Sequence, residues 1–367
     1  MSQPHDIDNP YIPEFEKYLR TPEPSVRERA DYWRTAIGLQ AVDGLIVSDF
    51  LKQTAQEHIE GQISVDEAEK RIKTYYQAKE ARLPDDDEKE EADKVSMNII
   101  RLLGEQSFTF SVAGLAAIHR QIFKGVFKHA GQFRDYDISK KEWVLEGDTV
   151  LYASCTQLKA TLEYDLSLEK QFDYSNLALP DAIRHIADFV AGIWQIHPFR
   201  EGNTRTTAVF TIKYLRSIGF KQINNDLFEQ HSWYFRNALV RANYKNVAKA
   251  VNPDSSYLVA FFRNLLLNEQ TPLHNRDLHI SLSSNQSANT VVQSAKSALS
   301  KSNNCTLEET AVLQILQRNP RATQKQIAEE IGKSERTVKT ITVNLTKKEI
   351  IVRRNGKRDG YWEIIEK

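Results

Sequence analysis

Cysteine is nearly missing from this chain. The two present, Cys155 and Cys305, lie far apart, form no CxxC and give no disulfide framework, which fits a reducing compartment. An excess of one charge is missing too. Lys plus Arg is 49 and Asp plus Glu is 49, so no whole-molecule field favours nucleic acid or an anionic membrane. Any such preference must be local. No apolar run approaches the length of a membrane span. The opening "MSQPHDIDNPYIPEF" is polar and contains proline, so no secretory signal is expected. These absences lead us to expect a cytoplasmic protein that does not use a membrane. We find no tandem repeat. The 367 residues predict two or three domains of ordinary globular composition.

Residues 1–24 read as an extended arm, because Pro10, Pro13, Pro22 and Pro24 break any long helix. From Ser25, Ala30, Trp33, Ile37 and Ala41 recur at helical spacing, with Gly44 as the stop. A second helix is predicted from about Val47 to Glu60. A third starts at Ser64, an N-cap with Glu67 three residues on. Residues 25–82 thus form a small helical unit. The acidic run at 83–93 reads as a helix start, with carboxylates at the positive end of the dipole. A regulatory acidic segment is the alternative. Helical patterns dominate to residue 278, except at 135–153. There Trp143–Leu145, Glu146-Gly147-Asp148 and Val150–Tyr152 predict a β-hairpin, a flap over a site. Residues 279–304 are rich in Ser and Asn and read as a linker. From 305 to 367, three helical patterns and an alternating pair of segments around Asn355-Gly356 predict a winged helix-turn-helix. The fold class expected is mainly α.

The stretch "HPFREGNTR" (197–205) joins two apolar helical patterns and gathers the chemistry. A helix starting at Gly202-Asn203-Thr204 offers free backbone N–H groups to an anion. Arg205, in its first turn, opposes the helix dipole and makes sense if it faces a phosphate chain. Glu201 is a ligand for Mg²⁺, which takes few carboxylates. Asn203 supplies an amide to a phosphate oxygen, and His197 titrates in the range of a general base. Phe199 is read as an inward anchor. The parts suit attack on a polyphosphate. The bland alternative is a loop whose His and Asn satisfy local backbone groups.

This stretch resembles the HxFx(D/E)GNxR signature of Fic-domain proteins, mostly transferases of AMP to protein hydroxyls. "AGQFR", with Gly131 and Arg134, stands in the expected context before the flap, and the likeness covers about residues 95–270. The resemblance implies that His197 deprotonates a Ser, Thr or Tyr hydroxyl and that Glu201 holds Mg²⁺. It also implies that Gly202, Asn203 and Thr204 cradle the α-phosphate of ATP, and that Arg205 holds the β- and γ-phosphates. The target protein would dock on the 135–153 flap as an added strand, and a homodimer is expected. The sequence departs from the family at two places. Thr204 replaces a second glycine, and Ala208 stands where a second arginine grips the γ-phosphate. A Doc-like phosphotransferase is one alternative. A DNA-binding regulator with a nucleotide-sensing or weakly active Fic core is the other.

Residues 25–82 resemble the inhibitory helical unit of this family, with motif (S/T)xxxE(G/N). In "LQAVDG", Asp43 takes the glutamate slot and Leu39 the Ser/Thr slot; "QEHIEG", with Glu60, is the competing window. The resemblance makes residue 208 the partner, and Ala208 cannot pair. Asp43 is then expected to inhibit weakly, and Asp43→Gly to change transfer little. In the winged helix, residues 333–358 hold nine basic residues against two acids. Arg336 and Lys339 on the recognition helix and Arg353 and Arg354 on the wing are the expected DNA contacts. Protein docking is the alternative use.

Overall fold

The computed structural model describes residues 13–78, 85–175, 177–220, 223–281, 305–331, 333–354 and 360–365. The first prolines do not break structure but open it. Helix α1 spans Pro13–Leu19, and α2, Pro24–Gly38, has proline in its first turn, where the missing N–H costs nothing. Only residues 1–12 of the expected arm lie outside the described residues. A 3-10 turn, Leu39–Asp43, continues α2 and stops at Gly44, whose φ of 74° is left-handed. Helices α3 (Asp49–Ile59) and α4 (Val65–Gln77) begin at Ser48 and Ser64, whose hydroxyls accept from the Leu51 and Glu67 amides. The acidic run opens α5 (Asp86–Gly104), with Asp86, Asp87 and Glu88 in the first turn.

Helices α6 (Val112–Ile122), α7 (Leu158–Gln171), α8 (Leu179–Ile196), α9 (Asn203–Ser217), α10 (Asp226–Gln230), α11 (Ser232–Asn243) and α12 (Ser256–Leu267) follow. One apolar core runs from Phe15 in α1 to Leu278, so α2 packs into the same interior as α8 and α9. Buried ion pairs tie the N-terminal helices down. Arg34 of α2 reaches Asp226 at 2.7 Å and Glu229 at 2.6 Å.

The flap reverses direction as expected, but without a β ladder. Its middle is a 3-10 turn, Trp143–Leu145, and Glu146 and Gly147 both have left-handed φ. The reversal is closed by Glu142 N–H to Asp148 O and Gly147 N–H to Glu142 O, both 2.9 Å. A strand would send Val144 and Leu145 to opposite faces, yet both are fully buried, and the chain coils to achieve it.

A second core, from Cys305 to Trp362, belongs to the winged helix. Helices α13 (Leu307–Arg318), α14 (Gln324–Ile331) and α15 (Glu335–Lys347) precede antiparallel strands β1 (Ile351–Arg354) and β2 (Tyr361–Ile364). The expected wing turn at Asn355-Gly356 and most of the expected linker lie outside the described residues. The winged helix touches the larger body directly. Leu179 N–H donates to Cys305 O at 2.9 Å, and Gln314 Nε2 to Leu266 O at 2.9 Å.

Candidate active site

The loop from α8 to α9 is built by its own side chains. His197 ends α8 with a φ of 50°, a conformation uncommon outside glycine, and its N–H returns to Trp194 O at 3.1 Å. Asn203 closes the loop from the other side. Its Oδ1 accepts from Phe199 N–H (2.9 Å) and its Nδ2 donates to Phe199 O (2.8 Å). Phe199 is buried as expected, stacked on His119 at 3.8 Å. Gly202 is required twice over. Its φ is 72°, and a Cβ there would sit 2.1 Å from the Phe123 ring.

His119 has no distinguishing signal in sequence, since a histidine in an apolar helix pattern reads as core. Here its Nδ1 accepts from Gly131 N–H (2.8 Å), so Nε2 carries the proton and donates to Glu201 O at 3.1 Å. Burial lowers its pKa to about 4, which keeps it neutral in that tautomer. Arg134 braces the loop from the flap side. Its guanidinium donates to the carbonyls of His197 (2.8 Å), Tyr136 (2.7 Å) and Ala153, and its own N–H to Pro198 O.

His197 is buried against Tyr152 and Trp194, with ring centroids 4.4 and 5.2 Å away. Its Nδ1 lies 3.3 Å from Trp194 O, and a carbonyl can only accept, so the proton sits on Nδ1. Nε2 is then a bare lone pair, buried and without a hydrogen-bond partner among the described residues. Burial, and after it the positive charge of Lys140, holds the imidazole well below its ordinary pKa. At neutral pH this is a free base.

Helix α9 starts with no side-chain cap, and Thr206 N–H, bonded to Gly202 O, is the first amide to find a helical acceptor. The three preceding amides come before the helical ladder, and they are the ones the sequence reading offers to an anion. The side chains around it are placed differently from expectation. The Asn203 amide closes the loop and does not project toward a phosphate. Thr204 Oγ1 accepts from Trp194 Nε1 at 2.9 Å. Glu201 is exposed, and its carboxylate meets the Lys140 ammonium at 3.4 Å. No cluster of three or more His, Cys, Asp or Glu suited to a metal occurs among the described residues.

Arg205 departs furthest from expectation. It is 2% exposed, and its Nε stands 2.8 Å from Asp43 Oδ2. Its NH2 lies 2.9 Å from Glu91 Oε1, its NH1 donates to Gln40 Oε1 at 3.0 Å, and the Phe123 ring covers it at 4.8 Å. The expectation that Asp43 lacks a partner is therefore corrected: it pairs with Arg205, while Ala208 is buried. Glu91 escaped notice because it sits in an acidic run already explained by the helix dipole. Glu60, the competing position, bonds Tyr18 instead.

In the winged helix, Arg336 and Lys339 are exposed on α15. Arg353 lies over the Trp362 ring at 4.8 Å. Part of the basic stripe is answered by acids outside the 333–358 window. Lys333 pairs with Glu308, Lys348 with Glu309 and Arg354 with Glu363. Arg354 is thus less available than expected.

Residues 109–215 match the Fic/DOC family model, and residues 309–352 match a winged helix-turn-helix DNA-binding model. The chain carries a Fic/DOC domain with a winged helix at its C-terminal side. No curated protein matches it. Among solved structures it is similar to the BepC protein of Bartonella tribocorum with bound AMPPNP, at 20% identity over 50% of this chain and 88% of that one, TM-score 0.38. A Fic family protein from Desulfovibrio desulfuricans G20 is similar at 12% identity over 97% and 94%, TM-score 0.43. So is the N-terminal FIC domain of Bep8 from Bartonella sp. 1-1C, at 18% over 51% and 88%, TM-score 0.40. The family assignment rests on the matched residues. No helix among the described residues is long and apolar enough to cross a membrane.

Proposed function

We propose that the chain is a Fic-type protein nucleotidyltransferase that moves AMP from Mg-ATP onto a Ser, Thr or Tyr hydroxyl of a protein, itself included. The observation that carries this reading is the state of His197, with its proton on Nδ1 and a bare, buried Nε2. In the reaction Nε2 takes the hydroxyl proton, the hydroxyl oxygen bonds to the α-phosphorus, and pyrophosphate leaves as its bridging bond breaks. The amides of Asn203, Thr204 and Arg205 are the donors for phosphate oxygens. Glu201, exposed and paired with Lys140 at 3.4 Å, is the carboxylate that would hold a hard cation. Mg²⁺ held by Glu201 would neutralise part of the pyrophosphate's charge.

The same reading gives the N-terminal helices a restraining role. A polyphosphate that engages Arg205 must displace both Asp43 and Glu91. We take the pair to hold transfer low at rest, in contrast to the weak inhibition expected from sequence. The test is intact-protein mass after incubation with Mg²⁺ and each nucleoside triphosphate, wild type and Asp43→Gly/Glu91→Gln, each beside His197→Ala. A gain of one nucleotidyl group that His197→Ala removes supports the reading. A gain of a bare phosphoryl group replaces it with Doc-like phosphotransfer. No gain in any form overturns transfer to itself and leaves a separate protein target or a regulator.

That second reading, a DNA-binding regulator, is favoured by one arrangement. Helix α8 bonds the start of the winged helix at Leu179 and ends at His197, so one rigid element touches both. DNA binding that survives His197→Ala and weakens with salt supports it.

A further inference from the structure

A charged pair lies buried behind the base. Glu142 of the flap is 1% exposed, and Arg236 of α11 grips it with both terminal nitrogens, NH1 to Oε2 at 2.6 Å and NH2 to Oε1 at 3.0 Å. The Trp233 ring covers the guanidinium at 5.1 Å. The proposed transfer uses neither residue. A buried ion pair adds little net stability over apolar side chains of the same shape, and its best use is to fix one geometry. The geometry fixed here is that of the flap. Glu142 precedes the 3-10 turn Trp143–Leu145, and its backbone closes the chain reversal with Asp148 and Gly147. The pair therefore pins the turn of the flap to α11.

The same carboxylate reaches the base through one side chain. Tyr152 OH donates to Glu142 Oε1 at 3.4 Å, long for a hydroxyl. Burial, and after it the Glu142 charge, raises the Tyr152 pKa, so the hydroxyl keeps the proton it donates. The Tyr152 ring lies 4.4 Å from the His197 ring and edge-on to Trp194 at 5.9 Å. Trp194, the other wall of His197, is tied in the same way, by Nε1 to Thr204 Oγ1 at 2.9 Å. Each aromatic wall is thus fixed at its polar tip as well as by packing. The imidazole's own hydrogen bond, Nδ1–H to Trp194 O, is long at 3.3 Å, so the walls do most of the orienting.

We propose that Glu142, held by Arg236, is a positioning residue for His197. Through Tyr152 it keeps the imidazole in the orientation that leaves Nε2 bare. This rests on His197 as the base of the proposed transfer, and Glu142 acts on the wall of that base, not on the reacting atoms.

The tautomer of His197 reads the positioning directly and needs no turnover. Long-range proton–nitrogen correlation on the full chain with labelled histidine gives it at neutral pH, the His197 signals being those lost in His197→Ala. The wild type should carry the proton on Nδ1. Tyr152→Phe removes one hydroxyl and keeps the ring, and should introduce the Nε2–H tautomer. Glu142→Ala should do so more strongly, whereas Glu142→Gln, which keeps acceptors for both partners, should retain the wild-type tautomer. In the Asp43→Gly/Glu91→Gln background, Tyr152→Phe and Glu142→Ala should lower the transfer rate at saturating ATP by about 10- to 100-fold and leave KM nearly unchanged. A purely structural pair would change thermal stability without moving the tautomer. If Glu142→Ala fails to fold, Tyr152→Phe decides. An Nδ1–H signal unmoved in the folded variants overturns the inference, even where transfer is observed. A moved tautomer with no transfer in any form upholds the positioning and counts against the transfer reading instead.

Discussion

Arg205 Nε lies 2.8 Å from Asp43 Oδ2, although the two residues stand far apart in sequence, one before the Fic/DOC-matched segment and one within it. The signature arginine of the loop is thus held by the helical unit that precedes it. Glu91 takes a second nitrogen at 2.9 Å. Asp43→Gly alone should raise nucleotidyl incorporation modestly, because Glu91 still competes. Asp43→Gly with Glu91→Gln should raise it more than the two single changes combined, as expected for residues sharing one partner. Incorporation rates of the four forms, compared as a cycle, check this. Strict additivity would show that the two carboxylates do not act together.

His197 gives the pH prediction. The folded imidazole titrates well below its ordinary 6.5, with burial the first cause. Under the proposed transfer the neutral form is the base, so lowering the pH should remove activity only as that depressed value is reached. The acid limb of the rate profile should lie below pH 6.5 and should vanish with activity in His197→Ala, a loss of about 10²–10⁴-fold. An acid limb above 6.5 would show that another group controls the rate.

Gly202→Ala should destabilise the loop. The new Cβ would meet the Phe123 ring at 2.1 Å, and the residue must keep a φ of 72°. Overpacking and left-handed strain together suggest a loss of about 2–4 kcal/mol in chemical denaturation. Gly202→Ala with Phe123→Leu should recover part of it.

Arg34 is buried beside Glu229 and also pairs with the half-buried Asp226. Burial raises the Glu229 carboxyl to about 7, against which Arg34 acts to keep it charged. Arg34→Met should cost about 3–5 kcal/mol by leaving that acid unpaired. Adding Glu229→Gln should restore most of the loss at neutral pH, measured by urea titration.

Arg336 and Lys339 are exposed on α15. If the winged helix contacts DNA through them, Arg336→Ala/Lys339→Ala should weaken binding across sequences and reduce the log–log salt slope by about 1.8. Arg354→Ala should matter less, because Glu363 already holds that charge. Fluorescence anisotropy at several salt concentrations reads both.

Local chemistry made much of the fold legible. Ser64 and Gly44 mark helix ends wherever they stand, because caps and left-handed turns depend on neighbours a few residues away. The loop at 197–205 was legible for the same reason: its glycine, histidine and arginine are close in sequence. The partners of Arg205 were not. Asp43 lies before the signature and Glu91 in a run with its own local explanation, and only packing of the 3-10 turn after α2, and of α5, against α9 brings them to one guanidinium. The flap shows the converse. Its turn was local and legible, but whether Val144 and Leu145 share a buried side depends on what they pack against. Sequence alone determined most of the helices and which residues the loop gathers. The tertiary structure decided which charges face that chemistry, because long-range burial, not spacing, sets the neighbours of a buried arginine.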